Sequence, residues 1–324
     1  MPSTLILTEG EVKSLLKMSD AMQAVERAFR LYAEGKDTQM PPKVYLTFEK
    51  GDLRAMPALV ENYAGVKWVN SHPHNRERGL PTVMALLILS DPETGFPLAV
   101  MDATLITCVR TGAAGGIAAK HLARKDSRVF GFVGCGTQAY YQLEALREVF
   151  DVEKVLAYDL YPSASASFVE HCSRLGIDAV ACDCEKACRC DVLTTTTPST
   201  SPVVKDEWVE EGTHINAIGA DAPGKQELDE KLLLRAKIVV DDVEQAVHGG
   251  EINVAISKGL LKPDDIHATI GEVIAGLKLG RESEEEITVF DSTGLAIQDI
   301  ATASVVFERA KESGTGSYVK FFEF

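Results

Sequence analysis

The stretch VFGFVGCGTQAYYQLEAL, with the segments around it, constrains the fold of this chain most. An apolar strand pattern, Val129 to Val133, runs into Gly134, Gly136 and Ala139 at G-x-G-x-x-A spacing. A helical pattern follows over Thr137 to Phe150, and a second strand, Lys154 to Tyr158, delivers Asp159 25 positions beyond Gly134. Two spaced glycines are common, but strand, glycine turn, helix, strand and terminal acid in that order form the context that dinucleotide binding requires. Gly134 permits the tight turn, Gly136 lets the backbone approach a pyrophosphate, and Ala139 keeps the helix close to the sheet. The helix whose first turn holds Thr137 and Gln138 aims its free N–H groups and positive dipole end at that anion. Asp159 can accept hydrogen bonds from both ribose hydroxyls and would repel a 2′-phosphate. Leu160, Tyr161, Pro162 and Ser163 offer no cation to hold one, so the cofactor expected is NAD, with Leu160 and Tyr161 beside it.

Alternation continues beyond this unit. Strand patterns at Asp178 to Ala181, Asp191 to Thr195, His214 to Ile218 and Ile238 to Val240 are separated by helical ones, which predicts a doubly wound parallel sheet. Two strands end in loops suited to a cofactor: TTTTPS, with Thr196, and NAIGAD, where Gly219 and Ala220 deliver Asp221 to the same carboxyl edge. The N-terminal third reads differently. Apolar residues at three- and four-residue spacing over Glu9 to Ala33 predict amphipathic helix, broken at an N-cap near Ser19-Asp20. Strands are expected at Lys43 to Phe48, Leu53 to Leu59, Gly65 to Asn70 and Val83 to Ser90. Asp91 to Gly95 is a hairpin turn into Pro97 to Met101. Thr111 to Leu122, rich in small residues, predicts a closely packed helix, and another helix is expected over Gly294 to Lys311.

The 324 residues carry 33 Lys+Arg against 48 Asp+Glu, a net charge of −15, which disfavours nucleic acid and anionic membrane surfaces as partners. The longest apolar run, Val83 to Leu89, is far short of the ~20 residues that span a bilayer. No signal peptide is visible, and a cytoplasmic protein with reduced thiols is expected. Cys182, Cys184, Cys188 and Cys190 cluster, but their C-x-C spacing and the lack of a nearby His disfavour a metal, so none is expected. His72 and His74 read as hydrated loop residues. Basic residues in the N-terminal part are the substrate-side candidates: Lys43, Arg54, Lys67 and Arg110. Lys67 stands among Val66, Trp68 and Val69, where it either snorkels or faces a cavity in which its pKa falls.

KWVNSHPHN, RTGAAGGIAAKHLA, GCGTQA, NAIGAD, HGGEINVAIS and DSTGLAIQD occur in that order. This set resembles the ornithine cyclodeaminase/μ-crystallin family essentially end to end, nearest its archaeal alanine dehydrogenase branch. The resemblance implies a homodimer whose mixed α/β dimerisation domain (1–115 plus 300–324) is interrupted by an NAD-binding Rossmann domain (116–299). It also implies roles. Lys67 would contact the substrate carboxylate and assist proton transfer, and Asp221 would be an acid/base that can activate water. Arg110 would lie where substrate carboxylate and cofactor meet, and Lys43 would be a further carboxylate contact. Thr82 would sit beside the nicotinamide and Ser292 near the cofactor. Apart from the resemblance, Glu251 in HGGE reads as a brace for the hinge or a partner subunit ahead of a direct catalytic role. Arg54 replaces the acid with which ornithine cyclodeaminases grip the distal ammonium, so a short amino acid such as alanine suits the site better than ornithine. The reaction expected is reversible NAD-dependent oxidative deamination of L-alanine to pyruvate and ammonium. A ketimine reductase or cyclodeaminase, and a dinucleotide-dependent small-ligand binder without catalysis, are the alternatives.

Overall fold

The computed structural model describes residues 3–323, with the side chain of Arg76 left aside. The chain divides into two compact units, Met1–Arg110 with Leu295–Phe324, and Thr111–Gly294. The junctions differ by five residues from the expected 115/116 and 299/300. One falls inside the continuous helix Thr104–Leu122, and the other just precedes the helix Ala296–Ser313.

The first unit is an eight-stranded mixed sheet. Strands run in the order Ser317–Val319, Thr4–Leu7, Pro97–Asp102, Ala85–Ser90, Tyr63–Ser71, Gly51–Val60 and Thr38–Gln39, and Val44–Phe48 also pairs with Gly51–Val60. Thr4–Leu7 and Pro97–Asp102 are parallel and the other pairs antiparallel. The turn at Asp91 to Gly95 makes its expected hairpin, with the Asp91 N–H on the Phe96 carbonyl. Helices Met18–Ala33 and Ala296–Ser313 pack on each other, and the latter packs on the central strands. Strand alternation sets which side chains they cover: Ala85, Leu87 and Leu89 are buried, while Leu86 and Ile88 between them are exposed. Tyr45, Leu46 and Trp68 are exposed as well. The helix break lies at Leu16 and Lys17, both extended, and not at Ser19-Asp20, which occupies the first turn of the second helix.

The second unit is an eight-stranded parallel sheet in the order Asp178–Ala181, Lys154–Tyr158, Val129–Val133, Val192–Thr195, His214–Ala217, Thr288–Asp291, Lys237–Val240 and Ala268–Thr269. The chain leaves Val129–Val133 toward one edge and returns to its other side with Val192–Thr195, so the topological switch point lies between these two strands. Thr288–Asp291, a central strand, is missing from the sequence reading. Its four residues begin and end in polar side chains and follow the acidic run RESEEEI, which conceals the pattern. Gln226–Leu228, in the stretch between the expected strands His214 to Ile218 and Ile238 to Val240, is itself a short strand that pairs in parallel with Thr200–Val204. The small residues of Thr104–Leu122 do permit close packing: a Cβ on Gly112 or Gly116 would strike Tyr141 or Ala145 of the helix Thr137–Arg147.

Candidate active site

At the switch point of the second unit, the glycine turn is shaped as the spacing predicts. Gly134 has φ +93°, a conformation that L side chains rarely adopt. Its N–H donates to the Tyr158 carbonyl at 2.8 Å. Thr196 closes the other side, its Oγ1 donating to the Gly134 carbonyl at 2.9 Å, and a Cβ on Gly134 would meet that hydroxyl at 3.0 Å. Gly136 is the N-cap of Thr137–Arg147, with no side-chain cap. A Cβ there would meet nothing within 4 Å. The helix start is therefore open, with Thr137 exposed, Gln138 half-buried and Ala139 buried against the core. Asp159 Oδ2 accepts from Cys135 N–H at 2.7 Å and its Oδ1 from Tyr161 N–H at 2.8 Å. That fixes the carboxylate at the strand end while leaving further lone pairs. Leu160 and Tyr161 beside it are exposed. Ser292, just beyond the strand Thr288–Asp291 and three strands along the sheet from Val129–Val133, donates its N–H to the Ala217 carbonyl. Its hydroxyl is buried with no hydrogen-bond partner among the described residues. An open helix N-terminus, a fixed acid at the next strand end and an orphaned hydroxyl together fit a pyrophosphate-bearing dinucleotide.

In the first unit two of the four basic candidates, Lys67 and Arg110, meet on a residue the sequence reading missed. Lys67 pairs with Met56 and Leu87 across the sheet, so strand register turns it to the helix-covered side. It is 1% exposed. Its Nζ donates to Asp299 Oδ1 at 2.8 Å and reaches Thr107 Oγ1 at 3.2 Å. Arg110 Nε donates to the same Asp299 oxygen at 3.0 Å, and its Nη1 to Gln298 Oε1 at 3.0 Å. Burial pushes the Lys67 ammonium down to about 7; Asp299 opposes the fall, while Arg110 and Lys43 add to it. One buried carboxylate thus serves two cations, and the cluster is neutral only when Lys67 has given up its proton. Snorkelling is excluded. Arg54 is placed differently: it grips Asp52 through Nε at 2.7 Å and Nη2 at 3.1 Å and lies over the Tyr45 ring. The cation here is half of an Arg–Asp pair and not a bare guanidinium. Thr82 is half-buried, with its carbonyl accepting from His72 N–H and Asn70 Nδ2.

Asp221, in the second unit, is about one-third exposed and pairs with Lys225 at 2.5 Å. The preceding Ala220 is buried, and Gly219 donates its N–H to Glu227 Oε2 at 2.8 Å. The buried Glu251 carboxylate accepts the N–H groups of Glu227 and Leu228. Asp299, Gln298, Lys225 and Glu227 escaped the sequence reading. Asp299 left a signal: it lies in the stripe of Ala296, Ile300, Ala303 and Phe307 that the helix buries, where a carboxylate needs a cation. Among the described residues no group of three or more metal-ligating side chains converges; the Cys184 thiol donates to the Val203 carbonyl at 3.3 Å.

The family model described as ornithine cyclodeaminase/mu-crystallin matches residues 3–314. An alanine dehydrogenase of Archaeoglobus fulgidus is 71% identical over 319 residues, which cover 98% of this chain and 99% of that protein. An archaeal alanine dehydrogenase dimer with bound NAD superposes with a TM-score of 0.98 at 70% identity, covering 99% of this chain and 100% of the other. The Δ1-pyrroline-2-carboxylate reductase of Thermococcus litoralis, in complex with NADH and L-proline, gives a TM-score of 0.95 at 39% identity, with 98% and 100% covered. A match over nearly the whole length, at this identity, places the chain in the ornithine cyclodeaminase/mu-crystallin family.

Proposed function

We propose that this protein is an NAD-dependent alanine dehydrogenase, converting L-alanine, NAD⁺ and water to pyruvate, ammonium, NADH and a proton, reversibly. The observation that carries the reading is the buried Lys67, held by Asp299 and poised to exchange a proton near neutral pH. A passive binder needs a cation but not one tuned to lose its charge. The 71% identity to an alanine dehydrogenase supports the substrate. When bound, NAD supplies the hydride acceptor, held by Gly134, Gly136 and the start of Thr137–Arg147, by Asp159 on the ribose, and by Thr196 and Ser292. Lys67 Nζ, with Arg110 and the Arg54–Asp52 pair, holds the substrate carboxylate. As the free amine, Lys67 also takes a proton from the substrate ammonium. Asp221 Oδ2 takes a proton from the water that replaces nitrogen at the α-carbon, with Lys225 holding the carboxylate in place.

We also read the protein as a cytoplasmic homodimer. The exposed apolar sheet face with Val44, Leu46, Trp68, Leu86 and Ile88 is a surface that a second copy would cover, and the archaeal relative of known structure is a dimer. The assay follows absorbance at 340 nm with NAD⁺ and L-alanine, L-proline or L-ornithine. Growth with alanine is expected. Growth with proline alone favours a cyclic-imine reductase, and silence with every amino acid while NADH still binds favours a binder.

The cofactor assignment has its own test. Because a Cβ at Gly136 meets no protein atom and its φ is −78°, Gly136→Val should fold and melt like the parent. It should nevertheless lose NADH binding by at least about tenfold in a fluorescence titration, since the added methyls fill the space where the backbone meets the diphosphate. Unchanged NADH affinity would remove Gly136 from the cofactor site.

A further inference from the structure

We propose that Glu227 is a positioning residue for the reaction: its buried carboxylate stitches together the two loops that carry Thr196 and Asp221. This inference rests on the reading of Asp221 as a proton carrier and of the second unit as the NAD-binding part. Glu227 is fully buried on the strand Gln226–Leu228. Its Oε2 accepts from Thr195 Oγ1 at 2.7 Å and Gly219 N–H at 2.8 Å, and its Oε1 accepts from Thr197 N–H at 2.6 Å. Thr195 and Thr197 flank Thr196, whose hydroxyl closes the Gly134 turn. Gly219 stands two residues before Asp221. One side chain therefore fixes the loops after two neighbouring parallel strands, at the carboxyl edge where an open α/β sheet binds its ligand.

The stitch is itself anchored. The backbone N–H groups of Glu227 and Leu228 both donate to the Glu251 carboxylate, at 2.7 to 3.0 Å. The loops leave no slack, because a Cβ on Gly219 would lie 2.1 Å from the Thr197 carbonyl and 2.7 Å from Glu227 Cδ. Three donors converging on one carboxylate need an acceptor with both oxygens available. A glutamine amide offers one oxygen and turns its NH₂ toward at least one donor, which must then move.

The test uses the full-length enzyme and the variants Glu227→Gln, Asp221→Asn and their double. Glu227→Gln is expected to lower kcat with alanine about 30- to 100-fold and to weaken NADH binding about tenfold. In the Asp221→Asn background the same change should lower kcat less than about threefold, because Glu227 acts through Asp221. A merely structural role would lower the melting temperature and multiply with Asp221→Asn. That multiplication overturns the proposal, as does parental kcat and NADH affinity in a folded Glu227→Gln protein. Should Glu227→Gln not fold, Glu227→Asp, whose carboxylate is one methylene too short to hold both loops at once, is read in the same cycle by the same criteria. If the parent binds NADH but turns over no amino acid, the functional reading fails. Glu227 is then judged on NADH affinity alone, where a parental value in a folded variant overturns it.

Discussion

Replacing Lys67 by Met is expected to lower kcat for alanine oxidation by about 10²- to 10⁴-fold, the usual range for removing a positioned acid–base group. NADH affinity should stay near that of the parent. The side chain sits among Met56, Leu87 and the helix Ala296–Ser313, so a methionine fills its volume without a new polar group to satisfy. What disappears is an amine whose pKa has fallen from 10.5 to about 7 through burial. The sign of the pH dependence follows. Below pH 7 the free enzyme holds an ammonium that cannot accept the substrate's proton; above it the amine is free. The kcat/KM profile for oxidative deamination should therefore rise with pH through about 7 and level off. Lys67→Arg tests the point separately, since a guanidinium keeps the charge but does not deprotonate. That variant should bind carboxylate yet lose both rate and the limb near pH 7. Activity above about one-tenth of the parent in Lys67→Met, or a limb that persists in Lys67→Arg, removes the proton-transfer role.

The two halves of this chemistry were unequally legible in the sequence. The geometry of the glycine turn was readable because its determinants are local: Gly134, Gly136, Ala139 and Asp159 are fixed by one strand–turn–helix–strand unit, and spacing encodes their placement. The long periodic elements of the first unit were readable for the same reason, whereas the four-residue strand Thr288–Asp291 carries too short a pattern to show. Residues whose role comes from distant partners were not. Lys67 could be singled out as a lysine among apolar neighbours, but its fate turned on Asp299, 232 positions away. Glu227 gives no local sign that three donors from two other loops converge on it. Arg54 was legible as a cation, but its pairing with Asp52 follows from strand geometry: the two residues lie on the same face two positions apart.

Replacing Asp299 by Ala should destabilise the protein by about 3–5 kcal/mol, the cost of leaving a buried charge without its partner. Lys67 and Arg110 both donate to Oδ1 of this carboxylate, and neither is more than 7% exposed. They can respond in different ways. Lys67 can shed its proton, which limits its share to 1.36 kcal/mol per unit of pKa displaced, whereas Arg110 keeps its charge and among the described residues retains Gln298 alone. The pH dependence separates these responses. In the parent, the folded Lys67 pKa lies near 7 and the unfolded one near 10.5, so the unfolded chain binds more protons between those values. Stability contributed by this group therefore rises with pH from about 7 to about 10.5 and is flat below 7. Without Asp299 the folded pKa falls further, and the rising window extends below 7. The deficit of Asp299→Ala, measured by urea unfolding, should thus be larger at pH 5.5 than at pH 8.5. Asp299→Asn keeps an oxygen for one donor and should fall between the two proteins. A loss under about 1 kcal/mol at both pH values would mean that the carboxylate is not the counterion on which these two cations depend.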